Sequence, residues 1–466
     1  MDMNVNTTSL PLFAENLVDK VLESVLCTSS RATPPCPATQ SFSSSSSSLR
    51  SHASTRSFPT AVAATRSGTA REGTGSAVGE QQQQNNSTAK EYFLFPTAKF
   101  LGNLPDIMTE FIYFGPGPAK LPTEVLETMQ KELLDLNGSH VSIMEMSHRS
   151  PEFNTVINST IDKARKLLNI PENYKVLFLQ GGGTGQFAAV PMNLIGRTGK
   201  ADYICTGSWS SKALKEAQKY GEANMVHKKL EKYGSIPDPS SWCLNPEASY
   251  VYYCDNETVE GVEFQFVPET NGVPLVCDMS SNIFSRPVDI SKFGLIYAGA
   301  QKNIGPAGVT LVIVREDLIG KALPITPTVL DYAVMAKENS LHNTPPCFAI
   351  YAVGLVFDWI LQNGGVQEME RRAKQKAATI YNLIDGDYYT SAVDPNCQSH
   401  MNVPFRVKKD EGLEEKFLKE AKALGLLGLK GHRSVGGIRA SIYNAITPEH
   451  VEKLGDFMKS FKENNP

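Results

Sequence analysis

The stretch KVLFLQGGGTGQFAAVPMNL, residues 175–194, contains the unit that decides the fold. It begins with a short apolar run, residues 175–179, which is typical of a buried strand. A glycine-rich loop follows, and residues 186–194 are predicted to form a helix. The same order of strand, loop and helix returns over residues 203–220, so this part of the chain repeats one supersecondary unit.

Short apolar runs continue the alternation toward the C-terminus. They lie at residues 250–254, 274–277, 295–298 and 309–314. The pattern predicts an α/β domain with a mostly parallel sheet, in which ligands bind beyond the carboxyl ends of the strands. After residue 365, a long charged helix and further strands and helices indicate a smaller C-terminal α/β domain.

The first 107 residues differ in composition from the rest. They contain a serine run, residues 43–48, and a glutamine and asparagine run, residues 81–86. Such a segment buries too little apolar surface to offset the entropy of ordering it, so we predict a disordered leader with one helix at residues 17–26. The leader is either a transit peptide for a plastid or mitochondrion, or it precedes a working start at Met108. We adopt a cytoplasmic location.

Length, charge and cysteine content limit the class of protein. A chain of 466 residues is expected to form two folded domains. A net charge of -4 gives no field that attracts nucleic acid, and no apolar run approaches the roughly 20 residues of a membrane helix, so neither partner is expected. The eight cysteines are scattered without a CxxC pair, which favours buried reduced thiols over disulfides, and we predict no metal site.

The glycine loop, residues 180–186, has two interpretations. Its glycines allow backbone N–H groups to approach an anion, and the dipole of the following helix favours a phosphate at that point. The loop lacks the Gly-Lys-Ser/Thr ending of a P-loop and the full GxGxxG pattern. A tight structural turn is as compatible with the sequence as a phosphate site.

Asp278 and Lys302 follow two neighbouring predicted strands. Lys302 is flanked by small residues between apolar strands, where a lowered pKa would make its amine a nucleophile toward an aldehyde. Asp278 alone would be a turn former, but beside such a lysine it would keep a pyridine nitrogen protonated. Trp209 would either supply a flat face over that ring or pack as a core aromatic.

Two sets of cationic residues stand out. One is His148 and Arg149, and the other is His432 and Arg433, followed by Arg439 in a glycine-rich turn. Arginine at the surface is usually a solvated charge, but its planar fork in such a turn suits bidentate capture of carboxylate or phosphate. Together the two sets predict a substrate with two or more negative charges.

In their order along the chain, these features resemble the phosphoserine aminotransferase family. The likeness runs colinearly from about residue 108 to the C-terminus. The matching segments are residues 114–122, 144–150, 180–186, 300–308, 342–346 and 436–445.

The resemblance implies a fold-type-I, class V enzyme that uses pyridoxal 5'-phosphate. Its large domain, residues 124–365, would hold a mostly parallel sheet of the seven-stranded type. Residues 108–123 would pack near the active site and the small domain, residues 366–466. The implied protein is a homodimer with shared active sites, and it transfers an amino group between L-glutamate and 3-phosphooxypyruvate to give O-phospho-L-serine and 2-oxoglutarate in serine biosynthesis.

The family's site residues carry over position by position. Lys302 would form the Schiff base with the cofactor, Asp278 would pair with the pyridine nitrogen, Trp209 would stack on the ring and Thr258 would bond the ring's 3-oxygen. The residues expected at the cofactor phosphate are Gly183, Thr184 and Gln301, with Asn343 and Thr344 from the other subunit.

The substrate residues also follow from the resemblance. Arg439 is expected to bind the α-carboxylate. The residues expected at the substrate's phosphate or the glutamate side-chain carboxylate are His148, Arg149, His432 and Arg433.

Two alternatives stay open on sequence alone. One is another class V enzyme, either an alanine-glyoxylate aminotransferase, which has no use for two histidine-arginine doublets, or a cysteine desulfurase. A desulfurase needs a nucleophilic cysteine on a mobile loop, and the only plausible residues, Cys347 and Cys397, lie in no such motif. The other alternative is a non-catalytic nucleotide-binding or scaffold protein with an α/β sheet.

Overall fold

The computed structural model describes residues 111–466. The predictions for the leader, its helix at residues 17–26 and the start at Met108 therefore lie outside the described residues. The described helices are α1 (Thr123–Glu132), α2 (Pro151–Leu168), α3 (Gly182–Leu194), α4 (Ser208–Ala217), α5 (Tyr332–Lys337), α6 (Cys347–Gln362), α7 (Gly365–Tyr381), α8 (Glu411–Ala423) and α9 (Pro448–Asn464). The described strands are β1 (Ile112–Tyr113), β2 (Tyr174–Leu179), β3 (Lys200–Ile204), β4 (Glu222–Met225), β5 (Val251–Cys254), β6 (Asn256–Glu257), β7 (Val262–Glu263), β8 (Leu275–Asp278), β9 (Leu295–Gly299), β10 (Thr310–Arg315), β11 (Tyr389–Thr390), β12 (Asn402–Val407), β13 (Leu426–Leu427) and β14 (Ile438–Ser441).

A seven-stranded sheet, in the order β2-β10-β9-β8-β5-β3-β4, forms the centre of the fold. Strand β10 is antiparallel to both of its neighbours, and the remaining pairs in this sheet are parallel. The α/β class with a mostly parallel, seven-stranded sheet is therefore confirmed. The parallel order brings the carboxyl ends of β5, β8 and β9 to one edge.

The sheet is buried on both faces, which explains why its strands are continuous apolar runs. In β2, Val176 and Phe178 pack in a core with α2 and α6, and Leu177 and Leu179 pack in a second core with α3 and α4. Helix α6 was absent from the sequence prediction. It is apolar around most of its circumference, so it has no amphipathic period that would identify it.

A second, three-stranded antiparallel sheet has the order β11-β12-β14 and packs with α7, α8 and α9. Thr447 is the N-cap of α9, because its side chain accepts from the His450 N–H and Pro448 follows it. Strand β1 pairs with β13, and the Ser441 N–H donates to the Phe114 carbonyl at 3.1 Å. The division into large and small domains stays a prediction, and its boundary falls between α6 and α7, which meet at 81°.

Three local boundaries differ from the predictions. Helix α3 begins at Gly182 instead of residue 186, so most of the glycine loop is the first helical turn. Trp209 lies in the first turn of α4 and not at the end of the loop, residues 206–209, that was predicted to precede the helix. Asp278 is the last residue of β8. Among residues 111–466, no single helix has the length and hydropathy needed to cross a membrane.

Candidate active site

A cavity of about 280 Å³ opens at the edge where β5, β8 and β9 end. It lies at the carboxyl ends of parallel strands, as the fold class predicts. Most of the residues predicted to bind a cofactor share this cavity. Those that line it are Gly183, Thr184, Trp209, Thr258, Asp278, Gln301 and Lys302.

Lys302 follows β9 and its amine lies inside the cavity. The Nζ atom donates to Thr258 Oγ1 at 2.6 Å and lies 5.9 Å from the centroid of the Trp209 ring. Burial lowers the pKa of Lys302, and the negative charge of Asp278 opposes that shift. The neutral amine is therefore more accessible here than on a surface lysine, which suits a nucleophile or a base.

Asp278 faces the cavity from the end of β8 and is 5% exposed. Burial raises the pKa of its carboxyl, while Ser280 and the positive charge of Lys302 act in the opposite direction. Ser280 donates its N–H to Asp278 Oδ1 at 2.9 Å and accepts at Oγ from the Gly299 N–H at 3.0 Å. A cationic group beside this carboxylate would offset its desolvation.

The N-terminus of α3 forms another wall of the cavity. Gly181, at φ 93°, turns the chain from β2 directly into the helix, and the Gly185 N–H donates to the Gly181 carbonyl at 2.9 Å. The N–H groups of residues 182–184 therefore have no acceptor further back in the helix. The loop is both a tight turn and a helix terminus suited to an anion, so the two sequence interpretations are compatible.

This donor set fits pyridoxal phosphate. A buried amine, a buried carboxylate and a helix N-terminus surround one cavity, as an aldehyde, a basic ring nitrogen and a phosphate require. The buried indole Nε1 of Trp209 has no acceptor among the described residues, so no hydrogen bond from Nε1 to these residues holds the indole in place. The residues that would hold the ring are Asp278, Trp209 and Thr258, and those that would hold the phosphate are Gly183, Thr184 and Gln301.

Arg439 lies beside the cavity on β14 and is 5% exposed. Its Nη1 donates to the Thr258 carbonyl at 3.2 Å, and its buried Nε has no acceptor among the described residues. Burial lowers the pKa of His432, and the nearby positive charges of Arg439, Lys212 and Arg433 lower it further. With this lowered pKa, His432 is mostly neutral at pH 7, and the other three side chains carry the positive charge. We call these four side chains the cation cluster.

Besides Arg439, His432 and Arg433, four predicted residues do not line the cavity of their own chain. Arg149 is exposed, and His148 Nε2 is buried without a partner among the described residues. Thr344 accepts at its carbonyl from Gln180 Nε2 at 3.1 Å, and Asn343 Nδ2 donates to the same carbonyl at 3.3 Å. The roles given to these four residues stay predictions.

Sequence reasoning missed several residues of the site. Lys212 Nζ lies 4.1 Å from the centroid of the Trp209 ring. The two residues are three positions apart in one helix, and this spacing could have predicted their contact. Ser280, two residues after Asp278, follows an ordinary pattern for capping a carboxylate. Asn256, which also lines the cavity, donates to Asn402 Oδ1 at 2.8 Å across 146 residues of sequence, and no local pattern signals that contact.

The six cysteines in residues 111–466 are all free, as predicted for this part of the chain. Cys347 begins α6 and Cys397 is buried, and burial raises the pKa of both thiols. A thiol with a raised pKa is a poor nucleophile at neutral pH. Neither residue has the environment that a desulfurase would need.

Comparison with known proteins agrees with this geometry. Residues 112–454 match the aminotransferase class-V family. The phosphoserine aminotransferase of Drosophila melanogaster is 59% identical over 360 residues, which is 76% of this chain and 99% of that protein. The one from Laribacter hongkongensis is 54% identical over 75% of this chain and 97% of its own length.

Solved structures give the same result. Phosphoserine aminotransferase from Bacillus circulans subsp. alkalophilus superimposes with a TM-score of 0.74 at 46% identity, over 77% of this chain and 99% of that one. The pyridoxal-phosphate-bound enzyme from Trichomonas vaginalis gives a TM-score of 0.73 at 39% identity, over 75% and 100% of the two chains. Pyridoxal phosphate is therefore the cofactor, and the chain belongs to the class V aminotransferases, within the phosphoserine aminotransferase family.

Proposed function

We propose that this enzyme transfers the amino group of L-glutamate to 3-phosphooxypyruvate, giving O-phospho-L-serine and 2-oxoglutarate in L-serine biosynthesis. Relatives that are 52–59% identical and match over almost their whole length bear the name phosphoserine aminotransferase. The observation that carries the proposal is the position of two cations against residues that line the cavity of Lys302 and Asp278: Arg439 Nη1 donates to the Thr258 carbonyl at 3.2 Å, and Lys212 Nζ lies 4.1 Å from the centroid of the Trp209 ring.

The cluster matches the charges of these substrates. Arg439 presents a fork next to the cavity, and its Nε has no acceptor among the described residues, which suits the α-carboxylate that both substrates share. Arg433 and Lys212 carry positive charge for a second anionic group, either the phosphate or the glutamate side-chain carboxylate. An alanine-type substrate has no second anion, so it would leave that charge uncompensated.

Bound pyridoxal phosphate supplies an aldehyde that captures the substrate amine and a ring that withdraws electrons from the α-carbon. The neutral Nζ of Lys302 then takes the proton from the α-carbon of glutamate, and Thr258 Oγ1 orients that Nζ. The carboxylate of Asp278 keeps the pyridine nitrogen of the cofactor protonated, and the positive charge at that nitrogen offsets the burial of the carboxylate. Lys302 gives a proton back when the second substrate accepts the amino group.

We further propose a homodimer in which each cavity receives residues from the partner chain. His148, Arg149, Asn343 and Thr344 do not reach the cavity of their own chain, although the resemblance assigns them to it. Large apolar side chains are also exposed. Leu134, at 84% exposure, and Met144, at 68%, precede His148 in the sequence, and Ile325 is 66% exposed elsewhere in the chain. Exposed apolar surface of this kind favours association.

The location is a separate proposal. A start at Met108 would leave a cytoplasmic enzyme, and a cleaved leader would indicate a plastid or mitochondrion. Mass spectrometry of the N-terminus of the mature protein, isolated from its source cells, distinguishes these outcomes.

The substrate assignment is tested by comparing amino donors. Purified protein is given 2-oxoglutarate with either O-phospho-L-serine or L-alanine, and glutamate formation is measured. We expect kcat/KM to favour phosphoserine by at least about a hundredfold, because charge-assisted contacts contribute about 1.5–3 kcal/mol each. Equal values for the two donors would contradict the proposal, and a preference for alanine with glyoxylate as acceptor would favour the alternative class V activity.

A further inference from the structure

The hairpin formed by β6 and β7 contacts the cavity and helix α4 at the same time. Thr258 contacts Lys302 on the cavity side, and its carbonyl accepts from Arg439. The adjacent Glu257 contacts the opposite side, where α4 begins. Glu257 ends β6 and Thr258 begins the turn that follows, so these consecutive residues contact two different neighbours.

Glu257 is fully buried, at 0% exposure, and its carboxylate binds the first turn of α4. Its Oε2 accepts from the Trp209 N–H at 2.9 Å, and its Oε1 accepts from the Ser210 N–H at 2.9 Å and from Ser210 Oγ at 2.5 Å. Glu260 accepts from the Ser208 N–H at 3.3 Å and from Ser208 Oγ at 2.5 Å. The first three N–H groups of α4 therefore bond to side chains from another element.

The local backbone is shaped to admit this carboxylate. A Cβ atom on Gly207 would lie 2.4 Å from Glu257 Cδ, so a larger residue at position 207 would displace the glutamate. Burial, and next the negative charge of Glu260, raise the pKa of Glu257, while the hydrogen bonds from Ser210 and Trp209 act in the opposite direction. Burying an acid costs free energy, whereas a serine or aspartate at the N-cap could bond to the same N–H groups without that cost.

The position of Trp209 indicates why Glu257 bonds to the first turn of α4. Its indole lines the cavity beside Lys302, yet its Nε1 has no acceptor among the described residues. The indole is therefore fixed through its backbone and its ring contacts, and Glu257 binds the backbone N–H of this same residue. We propose that Glu257 is a positioning residue, which sets Trp209 against the cofactor ring by fixing the first turn of α4. The inference rests on the cofactor site of the proposed function and not on the identity of the substrates.

The test uses the full chain with Trp242→Phe and Trp359→Phe, so that Trp209 is the single remaining tryptophan. Glu257→Gln keeps the volume but places an amide N–H against the helix donors. The matched control is Glu414→Gln, since Glu414 is also a buried glutamate and accepts from Arg406 Nε and the Val407 N–H away from the cavity. Acrylamide quenching reports the mobility of Trp209 in the cofactor-free protein. Equilibrium dialysis without substrates gives the Kd of pyridoxal phosphate.

We expect Glu257→Gln to increase quenching and to weaken the Kd of pyridoxal phosphate roughly three- to tenfold, the range that loss of a ring stack gives. In a Trp209→Leu background, the same substitution should weaken the Kd less than about twofold, because the residue it positions is absent. Glu414→Gln should change neither quantity.

Equal weakening with and without Trp209, or unchanged quenching and Kd, would overturn the positioning role. If Glu257→Gln does not fold, Ser210→Ala replaces it in the same cycle. That change removes the hydroxyl bond to the same carboxylate and keeps the Trp209 and Ser210 N–H donors, although it also removes the acceptor of the Thr206 and Gly207 N–H groups. We expect a smaller effect that also requires Trp209, and an effect independent of Trp209 would again overturn the proposal. Because no substrate is present, a wrong substrate assignment would leave these results unchanged.

Discussion

Asp278→Asn separates the function of the buried carboxylate from its effect on stability. The carboxylate is 5% exposed, and the cofactor's ring nitrogen would be its cationic partner. Removing one member of such a buried pair costs about 3 kcal/mol, which corresponds to a decrease in kcat/KM on the order of a hundredfold. The asparagine keeps an oxygen that can accept from the Ser280 N–H, so the fold of the strand end should persist.

The stability of the cofactor-free protein should change in the opposite direction. Burial raises the pKa of Asp278 above its ordinary 3.8, so the stability it contributes is present below pH 3.8 and is lost as pH rises through the raised value. At pH 7 the carboxylate therefore destabilises the cofactor-free chain. We expect Asp278→Asn to melt at the same temperature as the wild type or higher.

Both quantities are measured on one preparation, kcat/KM with glutamate and Tm without cofactor, at pH 7. Asp202→Asn is the control, because Asp202 is 2% exposed in the same sheet, burial also raises its pKa, and it does not line the cavity. It should leave kcat/KM within about twofold, as expected for a residue away from the site. Asp278→Asn with activity within tenfold of the wild type, or with a much lower Tm, would refute the reasoning.

Three further predictions follow from described contacts. Lys302→Ala should abolish turnover and the absorbance at roughly 400 nm that the cofactor shows when bound to the lysine, and a retained band would contradict covalent binding. Arg439→Gln should raise the KM for glutamate about 10- to 100-fold with a smaller change in kcat, because a carboxylate loses a forked donor, and an unchanged KM would remove Arg439 from the carboxylate site. Lys376 is buried and donates to three carbonyls, and burial lowers its pKa to about 7 from 10.5. Between pH 7 and pH 10.5 the unfolded chain binds a proton at Lys376 that the folded chain releases. The free energy of unfolding of the wild type should therefore rise with pH, relative to that of Lys376→Met, by at most about 1.4 kcal/mol per pH unit. Denaturant unfolding measured across pH 7–10 tests this, and the same pH dependence in both proteins would disprove it.

The parts of the site that sequence could predict are those that follow a local rule. Asp278 ends β8 and Lys302 stands three residues after the end of β9, and parallel pairing brings these strand ends to the same edge of the sheet. The glycine-rich turn before α3 was also predictable, although its helix begins four residues early, at Gly182 instead of residue 186.

The parts that sequence could not predict depend on distant partners. Glu257 bonds to Ser210 across 47 residues, and a buried glutamate in an apolar segment has no pattern that distinguishes it from a surface one. In the cation cluster, Lys212 belongs to α4, whereas the other members belong to β14 and the turn before it. The sequence therefore predicted the histidine and the arginines together but not the lysine. Helix α6 lacked a period because it is buried almost all round.

The place of Glu257 and Thr258 where β6 ends and its turn begins has a consequence for protein engineering. The two residues are consecutive and each contacts a different neighbour, so deleting or inserting one residue just before them would move both side chains away from their partners. Chimaeras and loop grafts that cross this segment should therefore preserve its length, even where they change its composition freely.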